Sequence, residues 1–173
     1  MPRPSVCSGG RRPHLGALAC ANRPPPAAHA GSLFGGRDAS MRVKTLFLAL
    51  VSTQALHSAE EYRFRLYEIF PPAQFVSGLI SQNLERGFVI ANVALLAFGL
   101  ACYLGPVRHE WGMAVPLAWL WVAIELVNGV GHPAWSLMQG HYTPGTITAV
   151  PLLVLAVALA RQLLGSKRTR TPV

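Results

Sequence analysis

Four apolar segments of bilayer length constrain the fold of this 173-residue chain more than any other feature of its sequence. A helix needs about 20 consecutive apolar residues to cross the hydrocarbon core of a membrane. The four segments run from about 43 to 62, 87 to 105, 113 to 131 and 145 to 164. None of them alternates between polar and apolar residues as a half-buried strand does. The sequence therefore predicts an all-α integral membrane bundle of four transmembrane helices.

The composition supports a membrane setting. Hydrophobic residues make up 51% of the chain and charged residues 13%, against about 25% charged residues in soluble domains. The basic residues behind the net charge of +8 lie at the ends of the apolar segments and in both tails, which argues against a nucleic-acid partner. Cys7, Cys20 and Cys102 show no CxxC spacing, so neither a disulfide framework nor a zinc finger is indicated.

Residues 1–40 differ sharply in composition from the rest of the chain. They contain a run of three prolines from Pro24, two glycine pairs and five arginines, and such a segment buries too little apolar surface to offset its ordering entropy. We predict a disordered tail there, or an over-extended start, because Met41 opens a basic stretch followed directly by apolar residues. The membrane domain then covers 41–165, and 166–173 form a basic cytoplasmic tail.

The lysines and arginines that flank the segments predict the orientation. With four crossings both termini lie on one side, where seven basic residues flank the segments, against three on the other side. The seven are Arg42, Lys44, Arg108, Arg161, Lys167, Arg168 and Arg170, and the three are Arg63, Arg65 and Arg86. By the positive-inside rule, this asymmetry predicts cytoplasmic termini in a plasma (inner) membrane.

The first apolar segment ends in a cluster of ionisable residues, His57, Glu60 and Glu61. Each such group costs about 2.5–3.5 kcal/mol inside a membrane, so the cluster predicts a functional site. Because positions i, i+3 and i+4 share one helical face, the imidazole and both carboxylates are expected to converge. The plainer alternative is a helix end at the water boundary, with the two carboxylates paired to Arg63 and Arg65.

The third apolar segment carries a second polar face. Glu125, Asn128 and His132 are spaced i, i+3 and i+7, and they end at the same membrane boundary as the first cluster. Polar faces are unstable against lipid, so we expect both to turn inward and meet. The turn residues Pro144 and Gly145 lie in the loop that follows, and we expect this loop to cap the site.

Histidine and carboxylate side chains together suggest a metal site. Their nitrogen and oxygen atoms suit zinc, iron or manganese, and helix bundles build such sites from inward-facing residues. We predict that His57, Glu61 and His132 bind a divalent metal. The assigned catalytic residues are Glu60, as a general base, and Glu125; the supporting residues are Asn128, Tyr142 and Arg65, whose charge would balance the acidic cluster.

Three short motifs in the chain resemble those of a known family. The runs from His57 to Glu61, from Asn128 to His132 and from Tyr142 to Gly145 look like the HXXEE, NXXXH and YXPG signatures of the HXXEE domain family. They occur in the expected order, and the resemblance covers about Met41 to Leu164. The family is described as membrane proteins of unknown activity, so the resemblance implies a membrane location and no reaction.

Several functions are compatible with this pattern. The leading hypothesis is a metal-dependent hydrolase or oxidase that acts on a lipid-like substrate from the bilayer. The alternatives are a small transporter or ion and proton relay, or a structural membrane subunit. A relay would use Glu60, Glu61, Glu125 and His132. Membrane lipid is the expected partner, and the sequence does not specify an oligomeric state.

Two other patterns compete with the metal-site hypothesis. The run from Glu60 to Arg65 fits the EExxxR pattern of the CAAX-type intramembrane proteases, but their third motif places His before Asn, whereas Asn128 precedes His132 here. From Met41 the basic start, the apolar core and the ending at Ala59 also resemble a signal peptide. Cleavage after Ala59 would remove His57 and leave three spans.

Two prolines predict one further element. Aromatic residues crowd the loop after the first segment, and Pro71 and Pro72 are expected to open a short helix there that runs toward Gln82. Such a helix would lie in the plane of the membrane interface and cover the site. The alternative is an ordinary belt of interfacial aromatic residues.

Overall fold

The computed structural model describes residues 32–168, and this part of the chain contains helices and turns but no strand. The helices are α1 (Arg37–Arg63), α2 (Leu66–Ile69), α3 (Pro71–Ile80), α4 (Leu84–Cys102), α5 (Ala114–Gln139) and α6 (Thr146–Arg168). A π-helical turn, Tyr103–Val107, continues α4 around Pro106. The predicted all-α class is confirmed for these residues.

Three helices in the described part are long and apolar enough to cross a membrane: Leu84–Val107, Ala114–Gln139 and Thr146–Ser166. They correspond to the second, third and fourth apolar segments. The first segment lies in α1, which has 27 residues but is not among the three. Its hydropathy is diluted by polar residues that the bundle buries, including Gln54, His57 and Glu61. A membrane bundle of four helices is therefore not confirmed.

The core lies where α1, α5 and α6 pack together. Phe47 of α1 meets Trp121 of α5 edge to face, with ring centroids 6.0 Å apart. α5 and α6 approach closely at Gly129, where an added Cβ would lie 2.7 Å from the Cβ of Leu153. Small residues allow such close contact between membrane helices. This close contact fixes the position of α5 relative to α6.

The start of α1 differs from the predicted one. The helix begins at Arg37, before the expected start at Met41, and Phe34 ahead of it is fully buried. The predicted disordered tail therefore overlaps a described helix over 37–40, while its residues 1–31 lie outside the described residues. The last five residues of the predicted basic tail, 169–173, also lie outside them.

Helix α5 extends beyond the end predicted for the third segment near Gly131. It continues through Pro133 to Gln139 and ends at Gly140, whose φ of 69° is the left-handed conformation that commonly closes a helix. Pro133 lacks an N–H, so the carbonyl of Gly129 loses its helical donor. Membrane helices tolerate this loss where neighbouring groups compensate. His132 consequently lies within the helix.

Two short helices connect α1 to α4. Helix α3 begins at Pro71, as predicted, and ends at Ile80, close to the predicted end at Gln82. Ser77 of α3 is buried against Gly87 of α4, where any side chain would collide with the Ser77 backbone. The short helix is thus confirmed, and its position in a membrane interface stays a prediction.

The end of the bundle opposite the predicted site closes around Glu110. Its carboxylate accepts hydrogen bonds from the Ser32 hydroxyl and the Leu33 N–H, both at 2.8 Å, from the Ser40 hydroxyl, and from Lys44 Nζ at 2.9 Å. Partial burial raises the pKa of Glu110, but the donors, led by Ser40 and Lys44, outweigh it and lower that pKa to about 2. This carboxylate therefore ties the start of α1 to the loop before α5.

Candidate metal centre

The structure brings His57, Glu61 and His132 together. His57 and Glu61 lie one turn apart on α1, and α5 supplies His132. One ligand atom from each residue lies within 4.8 Å of the others, and all three residues are buried. Glu61 Oε1 is 3.4 Å from His57 Nε2 and 3.0 Å from His132 Nε2. This buried group could hold a metal ion.

The hydrogen bond at His132 Nδ1 fixes the tautomer of that ring. Nδ1 lies 2.8 Å from the carbonyl oxygen of Pro144. A carbonyl only accepts, so Nδ1 carries the hydrogen. In the neutral ring, Nε2 then presents a lone pair to Glu61, which is also an acceptor. Two acceptors 3.0 Å apart require a proton or a metal cation between them.

The ring of His57 is oriented by a chain of two hydrogen bonds. The Thr148 hydroxyl donates to Glu60 Oε2 at 2.6 Å, so its oxygen is left to accept from His57 Nδ1 at 2.8 Å. His57 Nε2 therefore also presents a lone pair. It is fully buried and has no hydrogen-bond partner among residues 32–168. Such an orphaned atom points to a missing ligand.

The three ligand atoms fit a divalent metal. A proton on His132 Nε2 would allow a hydrogen bond to Glu61 but would leave His57 Nε2 without a partner. One cation, in contrast, could bind all three atoms. Two ligand atoms bound to zinc at about 2.1 Å in tetrahedral geometry lie about 3.4 Å apart, close to the separations in this group. Both Nδ1 atoms donate to oxygen, as ligating histidines almost always do. Three protein ligands leave further coordination positions open.

The loop from Tyr142 to Gly145 closes one side of the group, as expected. Gly145 has a φ of +90° and lies beside both rings, with no room for a side chain between them. A Cβ added there would lie 2.5 Å from His132 Nδ1 and 3.0 Å from His57 Cε1. Only glycine fits this position, because both the backbone conformation and the available space exclude a side chain.

Glu60 points to the start of α6 instead of the ligand group. Its carboxylate accepts from Tyr142 Oη at 2.5 Å, from the N–H groups of Gly145 and Thr148 at 3.0 Å, and from that of Ile147 at 3.3 Å. A carboxylate is stabilised at a helix N-terminus. Partial burial and the bond to Glu60 both raise the pKa of Tyr142. These contacts favour a supporting role for Glu60, and its role as general base stays a prediction.

Glu125 and Asn128 lie on α5 in the two turns before His132, outside the ligand group. Glu125 is fully buried. With the Gln54 amide oriented by its surroundings, Nε2 donates to Glu125 Oε2 at 2.8 Å. Asn128 Nδ2 lies 3.4 Å from the same oxygen. The catalytic assignment of Glu125 stays a prediction, and its direct partners are these two amides.

Arg65 does not join the site. It adopts a left-handed backbone conformation between α1 and α2, with φ 55°. Its guanidinium is largely exposed and pairs with Glu68 at 2.5 Å. The charge of Arg65 is therefore balanced locally, at the turn that leads the chain out of α1.

Three contacts of the site were not among the predicted residues. Thr148 orients His57, Gln54 contacts Glu125, and Phe70 lies with its ring centroid 5.7 Å from that of His132. One of them has a signal in the sequence, because Gln54 precedes His57 by three positions and so shares its helical face.

Comparison of the chain with models of protein families, with curated proteins and with solved structures finds no match. The resemblance to the HXXEE domain family therefore stays a prediction.

Proposed function

We propose that the chain is a four-helix integral membrane protein that binds a divalent metal ion through His57, Glu61 and His132. The main support is that three buried acceptor atoms converge: the Nε2 atoms of both histidines and a carboxylate oxygen of Glu61. The Nδ1 hydrogens of both histidines are already donated to other groups. Second-shell hydrogen bonds of this kind orient metal ligands. Zinc, iron and manganese all suit two imidazoles and a carboxylate.

Helix α1 is the proposed fourth crossing. Its hydropathy is lowered by polar residues, but these side chains face the interior, where Gln54, His57 and Glu61 are buried. Its outer face is largely apolar, with Leu48 and Leu56 exposed. Polar residues inside membrane helices face the bundle interior in this way. The flanking basic residues favour cytoplasmic termini in a plasma membrane, and the metal centre would then lie toward the extracytoplasmic side.

Membership in the HXXEE domain family is part of the proposal. It is supported by the way each motif contributes to one site. The first motif supplies His57 and Glu61, the second supplies His132, and the third supplies the Pro144 carbonyl and the close contact at Gly145. One centre would thus account for all three motifs.

We further propose that the metal serves catalysis on a lipid-like substrate. Coordination positions that the protein leaves open are typical of catalytic sites. A bound metal would activate water for hydrolysis if it is zinc, or support oxidation if it is iron. Thr148 and Pro144 orient the two histidine rings through hydrogen bonds, and the Phe70 ring packs beside that of His132.

Metal content of the purified protein tests the proposal. We expect near-stoichiometric zinc, iron or manganese in the wild-type protein and loss of most of it in His57→Ala or His132→Ala. His109→Ala is the matched control, because His109 is exposed and lies outside the described ligand group. Metal-free wild-type protein, or equal metal content in all variants, would overturn the metal site.

The mass of the membrane-extracted chain tests the signal-peptide alternative. The proposal requires His57 in the mature protein. A mature N-terminus at Glu60 would remove that ligand together with most of α1, and would contradict both the metal site and the fourth crossing.

A proton or ion relay is the second candidate function. It is supported by a line of polar side chains across the bundle from Glu125 to Gln54 and then to Ser58, whose hydroxyl lies 3.2 Å from the Gln54 amide. Buried ionisable groups in membrane helices often form such relays. Flux of protons or metal ions in liposomes, abolished in Glu125→Gln, would favour the relay; flux that Glu125→Gln leaves unchanged would exclude Glu125 from it.

A further inference from the structure

A groove between α1 and α4 is separate from the metal centre. It is open on one side and has a volume of about 420 Å³, within the usual range of small-molecule sites. Its walls are mainly apolar and include Ala55 and Ala59 of α1 and Val89 and Val93 of α4. None of the three candidate metal ligands lines it. Ser58 lines it and follows His57 directly in α1, so the groove and the metal centre lie at the same level of the bundle on different faces of one helix.

The groove contains one polar spot with unused hydrogen-bonding capacity. Ser58 Oγ donates to Asn92 Oδ1 at 2.6 Å, and Asn92 Nδ2 donates to the Phe88 carbonyl at 3.0 Å. An amide nitrogen has two hydrogens, and residues 32–168 offer no second acceptor for Nδ2. Asn92 is only partly buried and lies in a helix apolar enough to span a membrane. In hydrocarbon an unpaired amide hydrogen is costly, so an occupant with an acceptor oxygen is favoured.

We infer that this groove binds one acyl chain of a membrane lipid, with an oxygen of that lipid accepting from Asn92. One wall of this open groove is a helix apolar enough to cross a membrane, so hydrocarbon would border the groove in a bilayer. The inference depends on the proposed membrane placement of α1 and α4, but not on the metal.

Photolabelling in phosphatidylcholine nanodiscs tests the inference. The probe is a phosphatidylcholine with a diazirine near the carbonyl end of one acyl chain, and labelled residues are mapped by mass spectrometry. We expect labelling around Val89 and Val93 to exceed labelling of the exposed α6 residues Val150 and Val154 several-fold. Equal labelling of both regions would show only surrounding lipid and would overturn the inference.

Two groove-filling variants make the test specific. Ala55→Leu fills the groove from α1, and Val93→Phe fills it from α4, so one variant remains if the other fails to fold. Each is expected to reduce groove labelling at least fivefold, whereas Ala94→Leu, at an exposed α4 position that does not line the groove, leaves it unchanged. Undiminished labelling in folded variants, or chain-to-chain disulfide formation by Val93→Cys, would contradict the lipid site.

The role of Asn92 has its own measurement. Methyl palmitate, which has an acceptor carbonyl, is expected to compete with the probe roughly three- to tenfold better than hexadecane, because one hydrogen bond is gained. Asn92→Leu should abolish this preference, and a preference that persists would exclude Asn92. Metal content separates the two proposals: metal-free protein with a labelled groove contradicts only the metal site, and metal-bound protein without groove labelling contradicts only the lipid site.

Discussion

The two ends of the bundle each contain a carboxylate that α1 helps to enclose, but the surroundings differ in what they donate. Glu110 at one end accepts hydrogen bonds from two serines, a backbone N–H and Lys44. Glu61 at the other end faces two histidine nitrogens whose hydrogens lie on the far side of each ring. A carboxylate surrounded by donors anchors the fold, whereas one surrounded by acceptors needs a cation.

Glu60 shows that the surroundings of a carboxylate, donors or acceptors, depend on the helical face on which it lies. It is next to Glu61 in the sequence, yet consecutive residues of a helix point in different directions. Glu60 reaches the first turn of α6, where N–H groups and two hydroxyls supply hydrogens. In this respect it resembles Glu110 more than its neighbour.

The largest effect is expected for Glu61→Gln. The amide keeps the shape of the side chain but removes the charge that completes the three-ligand set. We expect metal affinity to fall more than roughly a hundredfold, beyond the usual effect of second-shell changes. The measurement is a competition titration with a chelator of known affinity. Affinity close to that of the wild-type protein would show that Glu61 is not a ligand.

A smaller effect is expected for Thr148→Val, which keeps the shape of the side chain but removes the acceptor for His57 Nδ1. Second-shell changes cost about 10- to 100-fold in metal affinity, and we expect a loss in that range. Thr148→Ser retains the hydroxyl and is the matched control. If the valine and serine variants bind metal equally well, Thr148 does not orient His57.

A change in stability without loss of metal is expected for Glu110→Gln. Charge-assisted hydrogen bonds contribute about 1.5–3 kcal/mol before solvent screening at this partly exposed position, so we expect a loss of about 1–2 kcal/mol in unfolding free energy. Thermal unfolding and metal content, measured on the same sample, check both parts. Loss of metal in this variant would contradict the separation of the two ends.

Glu110 is expected to make the stability of the wild-type protein decrease in acid. The pKa of Glu110 falls from 4.5 in the unfolded chain to about 2 in the folded one. Its contribution to stability is therefore complete above about pH 4.5 and is lost as the pH falls toward 2. Glu110→Gln should lack this part of the pH dependence.

The smallest effect is expected for Arg65→Ala. Its guanidinium is exposed and forms an ion pair with Glu68, and such surface pairs contribute little. Metal content and unfolding temperature are expected to match those of the wild-type protein. A clear loss of metal would restore the predicted supporting role of Arg65 in the site.

Periodicity made much of the site predictable from the sequence. The spacing of His57 and Glu61 placed both on one turn, and the apolar lengths predicted the helices now observed as α4, α5 and α6. The course of α5 past Pro133 was not predicted, because neighbouring groups can compensate for a missing hydrogen bond in ways that local sequence does not show. The position of His132 inside the helix follows from that continuation.

The second shell was harder to predict than the ligands. Thr148 contacts His57 across 91 positions, so only the packing of α6 against α1 brings them together. Glu60 contacts α6 and Glu61 contacts His132 of α5 because of the rotation of α1 about its own axis. The sequence predicts that both residues share a polar face, but not this rotation. Arg65 was expected at the acidic cluster, but the left-handed turn after α1 leaves it at the surface beside Glu68.

The X-ray absorption spectrum of the metal-bound protein tests the His57, Glu61 and His132 ligand set most directly. We predict two imidazole nitrogens and at least one oxygen at about 2.0–2.2 Å from the metal, as in zinc sites of this composition. His132→Ala should retain only one imidazole, and His109→Ala should retain both. Sulfur ligands, or a shell of oxygen atoms without imidazole, would contradict the proposed site.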